Sequence, residues 1–175
     1  MKKTLFKAES LLNLKNLNEA HNKVYKSTFI TYYIILVIEI VILSINYIIG
    51  DFSTWNFALF CTIIVLILLR SVKKSPKKQI DILKLKYHTD TVHEEVTFTE
   101  KSINIHTIEC DWKYEIYYDQ IIWYKETKNL DIIIAWLQKA LIIIDKNSFS
   151  TWKEEDLKNF INWKIEENKK SKKNK

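Results

Sequence analysis

Two uninterrupted apolar runs constrain everything else this chain can fold into. Thr28–Ile49, TFITYYIILVIEIVILSINYII, is 22 residues with a single charge, Glu39. Phe52–Leu69, FSTWNFALFCTIIVLILL, is 18 residues with none. The runs reach about 33 Å and about 27 Å as helices, against a hydrocarbon layer of about 30 Å. A secretory signal is shorter and ends at small residues; here the first run begins after 27 residues and a second follows at once. The pattern predicts a hairpin of two transmembrane helices, 28–49 and 55–70, the second starting as early as 52, around a short turn at 50–54.

The charge pattern orients that hairpin. The net charge of +6 is made of +4 over residues 1–26, −1 over 27–70, +4 over 71–79, −4 over 80–165 and +3 over 166–175. Both outer flanks of the apolar runs are lysine-rich and the connector carries no Lys or Arg. The positive-inside rule then puts both termini in the cytoplasm of a multi-pass cell-membrane protein. A nucleic-acid domain would carry its positive charge on the fold. Here the globular-looking part is acidic, so nucleic acid is not an expected partner. The chain holds one glycine and one proline, in the lysine- and isoleucine-rich composition of an AT-rich coding sequence. No Gly-rich phosphate loop, dinucleotide fingerprint or nucleophile elbow can be written with one glycine. Gly50 sits where a helix C′ residue turns left-handed, and Asp51, Ser53 or Thr54 can cap the next helix. Pro76 is expected to interrupt the second helix near its cytoplasmic end.

Glu39 falls near mid-membrane, where a carboxyl is costly and is expected to be neutral or turned to another helix. Steps of seven residues stay on one helix face, so Tyr25, Tyr32, Glu39 and Asn46 form a polar stripe. Reflection about the turn places Val65 opposite Glu39, with Cys61 and Thr62 one turn outward; Thr62 is the candidate hydrogen-bond partner. The stripe reads as helix–helix glue, as a contact to a second copy or another protein, or as an ion site in an oligomeric transport subunit. Arg70, Lys73, Lys74, Lys77 and Lys78 form a basic juxtamembrane segment that reads as a topology signal or a contact to anionic lipid.

From Val92 the period changes to two. Val96 and Phe98, Ile103 and Ile105, then Trp112, Tyr114 and Ile116 alternate, followed by Ile121–Tyr124, Ile132–Leu137 and Ala140–Ile144. Short runs of β-branched and aromatic residues predict an antiparallel meander. Thr99–Ser102, Thr127–Asn129 and Gln138–Lys139 are its turns, with Asn129 able to take a positive φ. The six tryptophans and many isoleucines are expected to supply its core. Thr151–Glu154 is a capping box opening an amphipathic helix with Leu157, Phe160 and Ile161 on one face. The domain is therefore bounded at 92–165, after a connector at 71–91 and before a disordered basic tail at 166–175. Strands closed by one C-terminal helix make a pleckstrin-homology (PH)-like α+β plan. In residues 1–27, Thr4–Lys7 is a short strand candidate, and Leu11, Leu14, Leu17 and Val24 have helical spacing. The segment reads as a strand joining the cytoplasmic sheet and a helix leading to the membrane, or as an amphipathic helix on the bilayer.

His106 and Cys110, four apart, would share a strand face but match no standard zinc spacing. Cys61 and Cys110 fall on opposite sides of the topology and are not expected to pair. Glu94 and Glu95 point to opposite strand faces. No nucleophile–base pair or carboxylate pair emerges, so neither catalysis nor a cofactor or metal is expected.

The layout resembles the YcxB-like family of small bacterial membrane proteins. The stretches that carry the likeness are Phe98–Ile105 (FTEKSINI), Tyr117–Ile134 (YYDQIIWYKETKNLDIII) and Ala140–Phe149 (ALIIIDKNSF). Asp145 stands where that family often has proline, and the usual glycine of the first hairpin is absent. The resemblance implies a two-span hairpin with a PH-like cytoplasmic domain and carries over no catalytic residue. The expected function is a membrane-anchored interaction module whose partners are lipid and another protein. Its concrete alternatives are an immunity protein against a bacteriocin or secreted toxin, and a transport subunit using Glu39.

Overall fold

The computed structural model describes residues 4–50, 55–136, 141–149 and 154–173. The chain divides into two compact units, Val24–Gln79 and Met1–Lys23 with Ile80–Lys175.

The first unit is a helical hairpin. Helix α2, Lys26–Ile49, and the helix that follows it, α3, Trp55–Tyr87, are both long and apolar enough to cross a membrane. No residue of α2 is buried, and isoleucines such as Ile40 and Ile48 are openly exposed. The shielded positions are Phe29, Tyr32, Leu36, Glu39, Leu43 and Asn46 on α2, and Trp55, Ala58, Thr62, Val65, Leu69, Val72 and Pro76 on α3, with Thr28, Cys61 and Ser75 beside them. Steps alternating three and four are a heptad seam, the spacing that packs two helices side by side. Gly50 ends α2 in the left-handed region (φ 77°, ψ 17°), its N–H directed at Asn46 O and Tyr47 O. The proposed caps Asp51, Ser53 and Thr54 lie outside the described residues.

Pro76 does not end α3, which runs on to Tyr87. An interior proline costs about 3 kcal/mol in helix propensity. Here KKQIDILKLKY continues with strong helix formers, and Ile80 is buried in the second unit. The stop comes instead at His88, whose φ of 56° turns the chain left-handed and whose N–H donates to Lys84 O at 3.0 Å. The segment predicted as connector is thus largely helix.

The second unit holds two antiparallel sheets. One has the order β1 (Thr4–Leu12), β2 (Val92–Thr99), β3 (Ser102–Thr107), β4 (Trp112–Tyr117); the other is β5 (Ile121–Glu126), β6 (Leu130–Ala135), β7 (Leu141–Asp145). β1 is longer than Thr4–Lys7 and pairs with β2 from Thr4↔Thr99 to Leu12↔Val92, so the strand before the hairpin joins the strand after it. Ser148 ties β1 to the end of β7, accepting from Glu9 N–H at 3.1 Å and donating to Glu9 O at 2.8 Å. Inward residues of both sheets, among them Phe98, Ile103, Ile105, Ile116, Ile133, Ile142 and Ile144, pack with Leu157, Ile161 and Ile165 of α4 (Glu154–Lys173). The core is built of isoleucine. Trp112, Trp123, Trp136 and Trp163 are each at least half exposed, so these four do not fill it.

Helix α1 (Leu14–Val24) is anchored by Leu17, Ala20 and His21, all buried, and Asn13 caps it through Oδ1 to Asn16 N–H at 2.8 Å. Its Glu19 reaches the β5–β6 turn, accepting from Thr127 Oγ1 at 2.5 Å and Asn129 Nδ2 at 3.1 Å.

Two turns lack glycine, and threonine hydroxyls shape both. Thr99 Oγ1 accepts from the N–H of Ser102 at 3.1 Å and donates to Ser102 O at 2.9 Å. Thr127 Oγ1 accepts from the N–H of Leu130 at 2.9 Å and of Asn129 at 3.3 Å. Asn129 does not adopt a positive φ; among the described non-glycine residues His88 and Asp111 do. Gln138–Lys139 and the Thr151 cap lie outside the described residues. Helix α4 continues to Lys173, where a disordered tail was expected. Lysine and glutamate propagate a helix well, and the Lys164–Glu167 pair at 3.3 Å spans its middle.

Candidate functional site

In the hairpin, Thr62 Oγ1 reaches Glu39 Oε2 at 2.9 Å and Ala58 O at 3.0 Å. One hydroxyl proton faces two acceptors, so both contacts are full hydrogen bonds at once only with a second proton on the carboxyl. The contact levels Glu39 with Thr62, and antiparallel counting then levels Leu43 with Ala58 and Leu36 with Val65. Tyr32 and Asn46 share the shielded seam with Glu39, whereas Tyr25 precedes the first residue of α2 and is exposed.

On α3, Arg70, Lys73, Lys74 and Lys77 recur at the spacing of one helix face, with Lys78 beside them, all exposed. Lys73 Nζ donates to Tyr33 Oη at 3.1 Å and stands 5.7 Å from that ring's centre. This pair places a cation against an aromatic ring of the type found at membrane interfaces.

In the sheet unit, His106 and Cys110 do not share a strand face. β3 ends at Thr107, and Cys110 falls in a one-turn helix at Ile108–Cys110. His106 Nε2 instead meets Asp111 Oδ1 at 2.7 Å, and Lys113 joins the same carboxylate at 3.1 Å. Lys113 first, then His106, holds Asp111 below its usual range. Burial would raise the Glu109 carboxyl, but hydrogen bonds from the ring and the N–H of His93, at 2.7 and 2.8 Å, outweigh it and hold it low. Among the described residues no group of three or more His, Cys, Asp or Glu is placed to hold a metal ion.

Two buried carboxyls were missed by the sequence reading. Glu94, 6% exposed, meets Ser10 Oγ at 3.5 Å and Thr107 Oγ1 at 3.4 Å. Burial raises its affinity for a proton, and burial first, then Glu94, raises the Tyr114 hydroxyl. Asp131, fully buried, accepts from Tyr124 Oη at 2.6 Å and lies 3.9 Å from Lys146 Nζ. Lys146 also faces Glu126 at 3.6 Å, and Glu126 binds Lys158 of α4 at 2.6 Å. The signal for both was phase. Glu94 alternates with Val92, Val96 and Phe98, and Asp131 with Ile133 and Ala135, so each strand's inward face carries one acid.

Among the described residues of this unit, two concavities bear on the site. One, of about 340 Å³, is on the outer face of β2–β4, lined by Glu95, Thr97, Asn104 and His106. The other, of about 460 Å³, lies where β1, β2 and the chain after β7 meet, and Glu94 lines it. No protein-family profile matches this chain, and no curated protein matches it either.

Proposed function

We propose that the chain is a non-catalytic, membrane-anchored interaction module: a two-span hairpin with both termini cytoplasmic, carrying a PH-like domain of the YcxB-like kind that binds another protein. The observation that carries this reading is the β1–β2 ladder. Residues before the first apolar helix and after the second are neighbours in one sheet, so both ends of the hairpin return to one side. The lysine-rich flanks make that side the cytoplasm. Seven strands in two antiparallel sheets with a C-terminal helix support the PH-like plan. Glu95, Glu109, Asp111 and Glu126 each meet a lysine or a histidine, which supports a structural rather than a catalytic role for these four. Glu39, engaged by Thr62, serves as helix–helix glue, and Arg70, Lys73, Lys74, Lys77 and Lys78 meet anionic headgroups.

The test is maleimide labelling in a Cys61→Ser, Cys110→Ser background. Asp51→Cys is expected to react in intact cells, and Lys101→Cys only after permeabilisation. Labelling of Lys101→Cys in intact cells would sink the topology. Failure of any protein to cross-link specifically to the domain in native membranes would sink the interaction reading.

A further inference from the structure

The outer strands of the two sheets are not equally covered. β1 meets the end of β7, where Ser148 bonds both the N–H and the carbonyl of Glu9. β5 lies against α4, with Lys158 on Glu126. β4 pairs with β3 on one side and, among the described residues, with no strand on the other. Such an edge offers N–H and C=O groups to a further strand.

The register with β3 sets Tyr114 beside Ile105 and Ile116 beside Ile103. Trp112, Tyr114 and Ile116 therefore share the inward face, and Lys113, Glu115 and Tyr117 the outward one. The Lys113 side chain is 66% exposed and Trp112 is 54% exposed. A lysine on an edge strand ordinarily repels a second strand. Here a glutamate follows it two residues on, so the strand is complementary in charge to its own antiparallel copy. Two in-phase registers keep all but one residue of β4 paired. Centred on Tyr114, Lys113 faces the second copy's Glu115, Tyr114 faces Tyr114, and Trp112 faces Ile116. Centred on Glu115, Glu115 faces Glu115, a like pair that opposes association. The first register repeats its Lys–Glu pair on both sides of a two-fold axis, as an isologous contact requires.

We propose that β4 is an interface between two copies of this chain, joined antiparallel in the register centred on Tyr114, so that their first sheets become one continuous sheet.

In a Cys61→Ser, Cys110→Ser background, chains with Lys113→Cys and chains with Glu115→Cys, told apart by epitope tags, are oxidised together in liposomes. Crowding in one bilayer supplies the effective concentration that so short a strand pair needs. Directly opposed Cβ atoms lie about 4.5–5.5 Å apart and diagonal ones about 7–8 Å, against about 3.5–4.5 Å in a disulfide. The mixed dimer is expected to form about ten-fold faster than either chain cross-links to itself. Energy transfer between donor- and acceptor-labelled full chains reads association without engineered cysteines. Lys113→Glu is expected to weaken association about ten-fold, and Lys113→Glu with Glu115→Lys to recover it. Lys128→Glu, exposed in the β5–β6 turn, leaves it unchanged. Lys113→Glu also loses Asp111 of its own chain, 3.1 Å away. The double reversal does not restore that contact, so recovery reports the second copy. If a reversal variant melts below the parent, the cysteine pair decides. Faster self-cross-linking of Glu115→Cys, equal rates in all three samples, no cross-link, or a folded Lys113→Glu that associates like the parent overturns the proposal. A cross-link from Lys113→Cys to a different protein in native membranes overturns it in favour of a foreign strand. Self-pairing needs neither a foreign partner nor a defined topology, so it and the labelling test can fail separately.

Discussion

The hairpin and the sheet unit are built from much the same residues, mostly isoleucine, turned inside out. In the sheet unit Ile103, Ile132, Ile133 and Ile143 have no exposed surface, and the lysines and acids, Glu94 and Asp131 excepted, lie at least partly at the surface. In the hairpin Ile38, Ile40 and Ile48 are more than half exposed, and the polar groups Tyr32, Glu39, Asn46 and Thr62 are the shielded ones. Hydrophobicity therefore does not say which residues lie inside; the surrounding solvent does. In water, apolar burial drives packing. In lipid, tails are as apolar as isoleucine, and close packing and hydrogen bonds remain to hold helices together.

The largest effect expected from this contrast is in the sheet core. Phe98→Ala, which empties a fully buried site beside Phe6, costs about 3–5 kcal/mol. Ile40→Ala, on the exposed side of α2, stays within about 0.5 kcal/mol. Hydrogen exchange of the full chain in nanodiscs checks both. Comparable losses of protection at the two sites would mean that the hairpin face is packed against something other than lipid.

A second contrast lies between the carboxyls of the sheet unit. Burial raises Glu94, so the folded chain keeps a proton there that the unfolded chain has released. Stability from this group is full below the unfolded value and falls as pH rises through the window between the two. Glu126 is held low by Lys158, with Lys146 assisting, so its contribution is present above its unfolded value and is lost as pH falls through the lowered one. Melting of Glu94→Gln should lose the decline on the rising side, while Glu126→Gln loses the one on the acid side. Glu109, His93, Tyr114, Ser10 and Thr107 face Glu94 and remain in both variants. An unchanged rising-side slope in Glu94→Gln would show that another group carries it.

The seam is tested next. Thr62→Val removes one interhelix hydrogen bond, worth about 0.6 kcal/mol and at most about 1.7 in such helices. Glu39→Gln keeps both a donor and an acceptor toward Thr62 and is expected to cost less than Thr62→Val. In a Cys61→Ser, Cys110→Ser background, Leu43→Cys with Ala58→Cys should cross-link readily. Faster cross-linking of Leu43→Cys with native Cys61 retained would instead centre the register on Phe52.

The parts of the molecule that follow from periodicity were legible. The two apolar runs, the alternation of Val96 and Phe98 with Ile103 and Ile105, and the face of Leu157 and Ile161 each repeat with the spacing of their element. Elements whose ends depend on tertiary support were not. Pro76 signals a break by local sterics, but the helix is carried past it by strong helix formers and a buried Ile80. The basic stretch after Ile165 has no apolar residue to announce a helix, yet Lys–Glu spacing continues one. Trp112, Trp123, Trp136 and Trp163 misled because size suggests burial, whereas isoleucines fill most of the interior. Of the candidate sites, the Glu39–Thr62 pair was reachable by counting along two helices. Glu94 required noticing that one acid keeps phase with valine and phenylalanine.

An effect of similar size to that of the seam concerns the single glycine. Scarcity of glycine forced the turns at Thr99–Ser102 and Thr127–Leu130 to use threonine hydroxyls, which hold the backbone by hydrogen bonds without positive φ. Gly50 instead takes a φ of 77°. A Cβ built there meets nothing within 4 Å, so Gly50→Ala has no clash to relieve and its cost is purely conformational, about 1 kcal/mol. Asparagine tolerates the left-handed region better, so Gly50→Asn is expected to cost less than alanine. Unfolding midpoints of the hairpin in bicelles should therefore rank parent, Asn, Ala. If alanine and asparagine were equal, αL strain would not be what the glycine relieves, and the threonine turns would no longer be its functional counterpart.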